Sequence, residues 1–158
     1  MQKPVFTETM QIGIVVRDLD AAVRRYTDDF GIGPWQFHQF NPDDLSDLRE
    51  YGKPIKHRTR IATTMIGQVM WELIEPLDDE SLFARFLAEK GGGVHHIAVN
   101  TQNYDETVAM QAKRGNELPL SCAFGDVKIA YLPTDRDLGV LIEVFSGMPK
   151  AELVHGMT

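Results

Sequence analysis

The chain has 158 residues, 43% of them hydrophobic and 25% charged, with a formal net charge of −7. That length and apolar share suit one globular domain, or two small modules sharing a core. An acidic chain whose Arg24-Arg25 pair forms no basic stripe excludes nucleic acid as an expected partner, and no apolar run approaches the roughly 20 residues of a membrane span.

The first ten residues, MQKPVFTETM, lack the basic start and apolar stretch of a signal peptide. Cys122 is the single cysteine, so no intrachain disulfide can form. A reducing, cytoplasmic location is the expectation.

Alternating β-branched residues from Gln11 to Val16 predict a strand. Asp18 is a good helix N-cap, Leu19, Val23, Tyr26 and Phe30 follow at helical spacing, and Gly31 closes the helix. Weaker strand candidates are 35–40 and 58–66. The loop 42–56 between them, with Asp43, Asp44, Asp47 and Glu50, reads as a solvated acidic loop. Residues 69–75 form a strand carrying Glu72. A linking helix is predicted over 78–90, with Leu82, Phe83, Phe86 and Leu87 as its apolar stripe and Gly91-Gly92-Gly93 as its breaker.

The pattern then restarts. With Gln11 set against His96, Ile12 meets Ile97, Ile14 meets Val99, Asp18 meets Asn103, Asp20 meets Asp105 and Val23 meets Val108, without a gap. Asn103 and Glu106 form a capping box, and Gly115 ends the second helix. Candidate strands 118–122 and 127–132 precede a final strand, 140–145, whose Glu143 aligns with Glu72. Each copy is β-α-β-β-β. The fold class is α+β, with modules 9–76 and 94–147 joined by helix 78–90 in one domain over 1–158.

Side chains of a strand alternate between its two faces. Gln11, Gly13 and Val15 point opposite to Ile12, Ile14 and Val16. His96 and Ala98 point opposite to Ile97 and Val99. Glu72 opposes Trp71 and Leu73, and Glu143 opposes Ile142 and Val144. A strand Gln, Glu or His taken alone is more often solvated or structural. Four at matched repeat positions, across a pseudo-twofold axis, point to one centre. An amide oxygen, two carboxylates and an imidazole suit one divalent ion of the Co, Ni, Mn, Fe or Zn group, and the absence of thiolates argues against a structural zinc. Small Gly13 and Ala98 leave room in the cup. By the same alternation His95 falls on the opposite face and is structural. His38, His57 and His155 are expected at the surface, and Trp35, Phe37 and Phe40 in the core or a cavity wall.

The stretch from Trp71 to Asn100, WELIEPLDDESLFARFLAEKGGGVHHIAVN, and the ending GVLIEVF resemble the vicinal oxygen chelate superfamily over residues 9–147. Its members include glyoxalase I, methylmalonyl-CoA epimerase, extradiol dioxygenases and antibiotic-sequestering proteins, and the epimerase branch is the most similar. The resemblance implies the cupped glyoxalase-like fold and places the metal-ligand role on Gln11, Glu72, His96 and Glu143. Gln11 departs from the epimerases, which read HIGI where this chain reads QIGI, and matches the Gln-Glu-His-Glu set of eukaryotic-type glyoxalase I. It also breaks the two-His, one-carboxylate triad of Fe(II) dioxygenases. GIGPW, from Gly31 to Trp35, resembles epimerase-like relatives that include racemases of aromatic ketones.

The resemblance implies a metal-dependent epimerase or isomerase that abstracts a proton beside a carbonyl, with Glu143, Glu72 or Glu50 as base. Its substrate would be a small carbonyl compound, such as a CoA thioester or an aromatic ketone. A glyoxalase I-like lyase acting on a thiohemiacetal, and a binding or resistance protein without catalysis, are the alternatives. Filled ligand positions argue against the last. Neither a glutathione site nor a phosphate-binding glycine loop is visible. Open sheet edges suit a homodimer.

Overall fold

The structure, a computed structural model, describes residues 5–147. Strand β1 (Phe6–Val15) leads into helix α1 (Leu19–Phe30). The Asp18 carboxylate accepts the Ala21 backbone N–H at 2.8 Å, and Gly31 closes the helix at φ 65°, as a left-handed C-cap requires. Then come β2 (Gln36–Phe40), β3 (Ser46–Glu50), β4 (Lys53–Pro54), β5 (Thr59–Ile66), β6 (Val69–Pro76) and helix α2 (Leu82–Lys90). The second half holds β7 (Gly93–Thr101), α3 (Tyr104–Lys113), β8 (Leu120–Phe124), β9 (Val127–Leu132), α4 (Asp135–Leu138) and β10 (Leu141–Phe145).

The strands form one mixed sheet in the order β2-β5-β6-β1-β7-β10-β9-β8-β3-β4. Within each predicted module the last strand lies parallel to the first, β6 beside β1 and β10 beside β7. The modules meet where β1 runs antiparallel to β7, with Gly13 opposite His96. The two copies are thus joined through their first strands. Beyond the joint the sheet curls into a cup, bringing Phe40 of β2 edge-on to Phe124 of β8 with ring centroids 5.9 Å apart.

Period-two alternation divides the apolar residues. On the convex side α1 buries Leu19, with Val23 and Tyr26 packed beside it, against Ile14, Ala62 and Leu73. Helix α3 sets Tyr104 and Val108 against Val99, Ala130 and Val144. Inside the cup, α2 buries Leu82 and Phe83 among Val15, Ile61, Ile74, Tyr131 and Leu141.

The expected acidic loop is instead a β-hairpin. Asp43, Asp44 and Asp47 are exposed as expected, but Leu48 and Glu50 alternate inward and are buried. Tyr51 (φ 48°) and Gly52 (φ 74°) make its two-residue turn, both with the positive φ that a type I′ turn needs. Strand β3 pairs with β8, so a segment of the first module extends the sheet of the second.

Helix α2 begins later than predicted. Asp78 stays in the preceding turn, accepting backbone N–H groups from Glu80 and Ser81. Fully buried Ser81 is the N-cap, accepting the Ala84 N–H at 3.2 Å, while Glu50 accepts the Leu82 N–H at 2.8 Å. Loss of a capping hydroxyl costs about 1 kcal/mol. Ser81→Ala should therefore lower stability in urea by about that amount. A midpoint indistinguishable from the parent would show that Glu50 alone caps the helix.

Candidate active site

The four predicted residues are brought together on the concave face at the β1–β7 joint. Gln11 comes from β1, Glu72 from β6, His96 from β7 and Glu143 from β10, and all four are buried. The Gln11 amide Nε2 donates to Glu72 Oε2 at 2.5 Å. His96 Nε2 lies 3.5 Å from Glu72 Oε2 and 3.2 Å from Glu143 Oε2. Among the described residues, neither His96 Nε2 nor Glu143 Oε2 has an aligned hydrogen bond.

Gly13 makes this possible. A Cβ built there would fall 2.0 Å from His96 Cε1, so the imidazole occupies the space a side chain would take. Tyr131 closes the other side, its ring centroid 4.8 Å from that of His96.

Glu50 is not part of this cluster. Besides the Leu82 N–H, it accepts Arg85 Nη2 at 2.7 Å, which ties β3 to α2.

His95 is placed differently from its expected face. Gly13 pairs with His96 and the next residue, Ile14, pairs with Val94, so β7 bulges at His95. An extra residue resets the alternation, and both histidines reach the same aromatic surroundings. Rings of Phe83 and Tyr131 lie within 4.9 and 6.0 Å of His95. The two Nδ1 atoms are 3.1 Å apart.

His57 and His38 also depart from the expected surface placement. His57 is 4% exposed and packs on Phe83. His38 is half-buried, and among the described residues His57 Nδ1 and His38 Nε2 both lack a hydrogen bond. His155 lies outside the described residues. Phe40 lines the cavity and Trp35 is half-buried beneath α1, whereas Phe37 is exposed.

Burial alone would depress the His96 pKa, but Glu143 and Glu72 outweigh it and raise it to about 9. Burial raises the Glu143 pKa, assisted by Glu72 and opposed by His96. Burial, and then the neighbouring His96, push His95 down to about 3. Burial also lowers His57. Tyr131 holds its proton firmly, through burial and the two carboxylates, and burial lifts the Cys122 thiol to about 12. Cys122 is therefore a packing residue rather than a nucleophile.

These residues stand against an apolar cavity of about 90 Å³. Gln11, Glu72, Glu143, His57 and Thr59 contribute its polar lining, and Phe40, Ile61, Ile74, Phe83, Phe124 and Phe145 much of the rest.

The donor spacing can be compared with that around an ion. Ligands held at about 2.1 Å from one metal stand roughly 3.0–3.4 Å apart. The 3.2 and 3.5 Å separations about His96 Nε2 fall close to that range. As described, the side chains contact one another instead of facing a common centre, and no three His, Cys, Asp or Glu among the described residues form a ready-made cage. A half-turn of the Gln11 amide would exchange its donor for the acceptor that ligation needs. A buried imidazole nitrogen and a carboxylate oxygen without hydrogen bonds, together with the cradle at Gly13, fit a small divalent cation.

Residues 10–131 match the Glyoxalase/Bleomycin resistance protein/Dioxygenase superfamily. The chain belongs to that superfamily. Among proteins similar to this superfamily member, the uncharacterized protein YqjC of Bacillus subtilis is 33% identical over 93 residues, 56% of this chain and 66% of that protein. The match therefore spans just under two thirds of that relative's length. Methylmalonyl-CoA epimerase from Mycobacterium tuberculosis has a similar structure (TM-score 0.66, 24% identity, 97% of this chain and 96% of that one). At that identity the likeness is one of fold. A variant of the Streptomyces coelicolor methylmalonyl-CoA epimerase, in complex with 2-nitronate-propionyl-CoA, gives a TM-score of 0.64 at 26% identity over 89% of this chain and 94% of that one.

Proposed function

We propose that this superfamily member is a metal-dependent epimerase or isomerase, which removes and returns a proton beside the carbonyl of an acyl thioester or aryl ketone. One observation carries the reading: two buried carboxylates converge on one buried imidazole beside an apolar cavity. Gln11, Glu72, His96 and Glu143 are the residues that would hold a Co, Ni, Mn, Fe or Zn ion, which when bound would polarise the substrate carbonyl.

Glu143 is the base. It could act so only when released from the ion's ligand set, where its burial favours the protonated form and makes the carboxylate more basic than in water. Glu72 and Gln11 would stay in the ion's ligand set, with the Gln11 amide turned so that its oxygen faces the ion. Glu50, engaged at the start of α2, has a structural part in this scheme. His57 lines the cavity, with its Nδ1 buried and without a hydrogen bond among the described residues.

A cavity of about 90 Å³ is small beside the roughly 300–1,000 Å³ of pockets that enclose a whole drug-sized ligand. It suits the reacting end of a substrate whose remainder lies outside, and the CoA ligand of the Streptomyces coelicolor epimerase supports a thioester. Lyase chemistry on a thiohemiacetal uses the same proton abstraction and is the second reading, favoured by the Gln-Glu-His-Glu donor set.

The test is solvent exchange. Metal-supplemented protein in deuterium oxide should place deuterium on the carbon beside the carbonyl of a 2-methyl-branched acyl-CoA or an aryl ketone. Glu143→Gln should slow that exchange about 10²–10⁴-fold, the usual worth of general-base catalysis. Exchange unchanged in Glu143→Gln would remove Glu143 from the reaction. No exchange with either substrate class, in protein shown to carry metal, would favour the lyase reading.

A further inference from the structure

The metal reading gives His96 Nε2 to the ion, which requires the ring's other nitrogen to carry the proton. That Nδ1 has a single polar neighbour described, His95 Nδ1 at 3.1 Å. The contact exists because β7 bulges there and turns both imidazoles toward one side. Either ring can be the donor in such a pair, and the choice decides where the His96 lone pair points. If His95 donates, His96 Nε2 bears hydrogen and faces Glu72 and Glu143 as a donor. If His95 accepts, Nε2 turns a lone pair toward the two carboxylates.

The surroundings hold His95 in one place. The residue is 4% exposed and its ring is enclosed by Phe83, Phe86 and Tyr131, with Phe86 edge-on at 5.0 Å. An outer groove beneath α2 and α4 is lined in part by His95, Phe86 and Asp135, so His95 bridges the site and that groove. We propose that His95 is a positioning residue, whose Nδ1 accepts the Nδ1–H of His96 and fixes the tautomer that leaves Nε2 free to ligate. The inference rests on the metal reading and extends it to a neighbour that never touches the ion.

The test uses Zn²⁺ alone, titrated into the full chain against a competing chelator. Partners of this kind are worth about 10–100-fold in metal affinity. His95→Leu, which has no acceptor, should bind Zn²⁺ 10–100-fold more weakly than the parent. His95→Asn, whose amide oxygen can stand near the Nδ1 position, should recover most of that loss. Long-range ¹H–¹⁵N correlation spectra of the zinc-loaded parent should show His96 protonated on Nδ1 and His95 protonated on Nε2, a readout that needs no variant to fold.

Affinity in His95→Leu equal to the parent, or a His95 ring protonated on Nδ1, overturns the inference while leaving the metal site standing. So does a loss in His95→Asn as large as in His95→Leu, since it would mean that the imidazole only fills space. A parent that binds no Zn²⁺, or binding that survives His96→Ala, overturns the metal reading and this inference with it.

Discussion

Gly13→Ala is expected to expel the imidazole from the candidate site. The added methyl carbon would lie 2.0 Å from His96 Cε1, 2.3 Å from Nε2 and 2.5 Å from Nδ1. The obstacle is a ring and not a flexible chain end. That ring is 0% exposed, with Tyr131 and Phe83 at centroid distances of 4.8 and 6.5 Å. Either His96 must turn out of the cup or β1 and β7 must separate where the modules join. Overpacking costs about 1–3 kcal/mol, occasionally more, and the missing free space puts this site at the upper end or above. A stability loss of about 3 kcal/mol or more should appear in urea unfolding, together with loss of Zn²⁺ binding in the chelator competition. A variant that unfolds and binds like the parent would show that His96 does not rest on Gly13.

Most of the sheet follows from local pattern. The β9 boundaries agree with the alternating run 127–132, and Glu72 and Glu143 fall on strands whose opposite faces are apolar. Matched positions in a repeat carry more than either copy alone, because a shared axis turns two weak signals into one geometric expectation. Gln11, Glu72, His96 and Glu143 come together where β1 and β7 pair.

The features missed have non-local or irregular causes. A bulge adds a residue to one strand, so period-two reasoning assigns His95 to the wrong side. The β3–β4 hairpin turns through Tyr51 at positive φ, which propensity disfavours, and its place is set by β8, distant in sequence. His57 is buried by Phe83 of α2. Its lone position among polar and basic residues gives no local sign of that contact. Helix α4 is too short for a recognisable apolar stripe.

The chelator-treated protein should be most stable near pH 6.5 and lose stability on both sides. His95 has a folded-state pKa of about 3, far below its ordinary value of 6.5. Between those values the unfolded chain takes a proton that the folded chain refuses, so stability is complete above pH 6.5 and falls on acidification toward pH 3. At about 1.4 kcal/mol per pH unit the loss reaches roughly 5 kcal/mol as an upper figure. His57, also lowered by burial, acts in the same direction. Glu143 and His96 act oppositely: burial raises Glu143, which trims the acid limb, and the folded-state pKa of His96 is raised to about 9. The His96 contribution is complete below pH 6.5 and is lost as pH rises through 9, by roughly 3 kcal/mol at most. Saturating Zn²⁺ would replace the His96 proton, so the alkaline decline should flatten while the acid decline sharpens through competition between protons and metal. Urea unfolding from pH 4 to 10, with and without the ion, reads both limbs. An acid limb unchanged in His95→Asn would separate that limb from His95. An alkaline limb indifferent to Zn²⁺ would mean that the ion does not reach His96 Nε2.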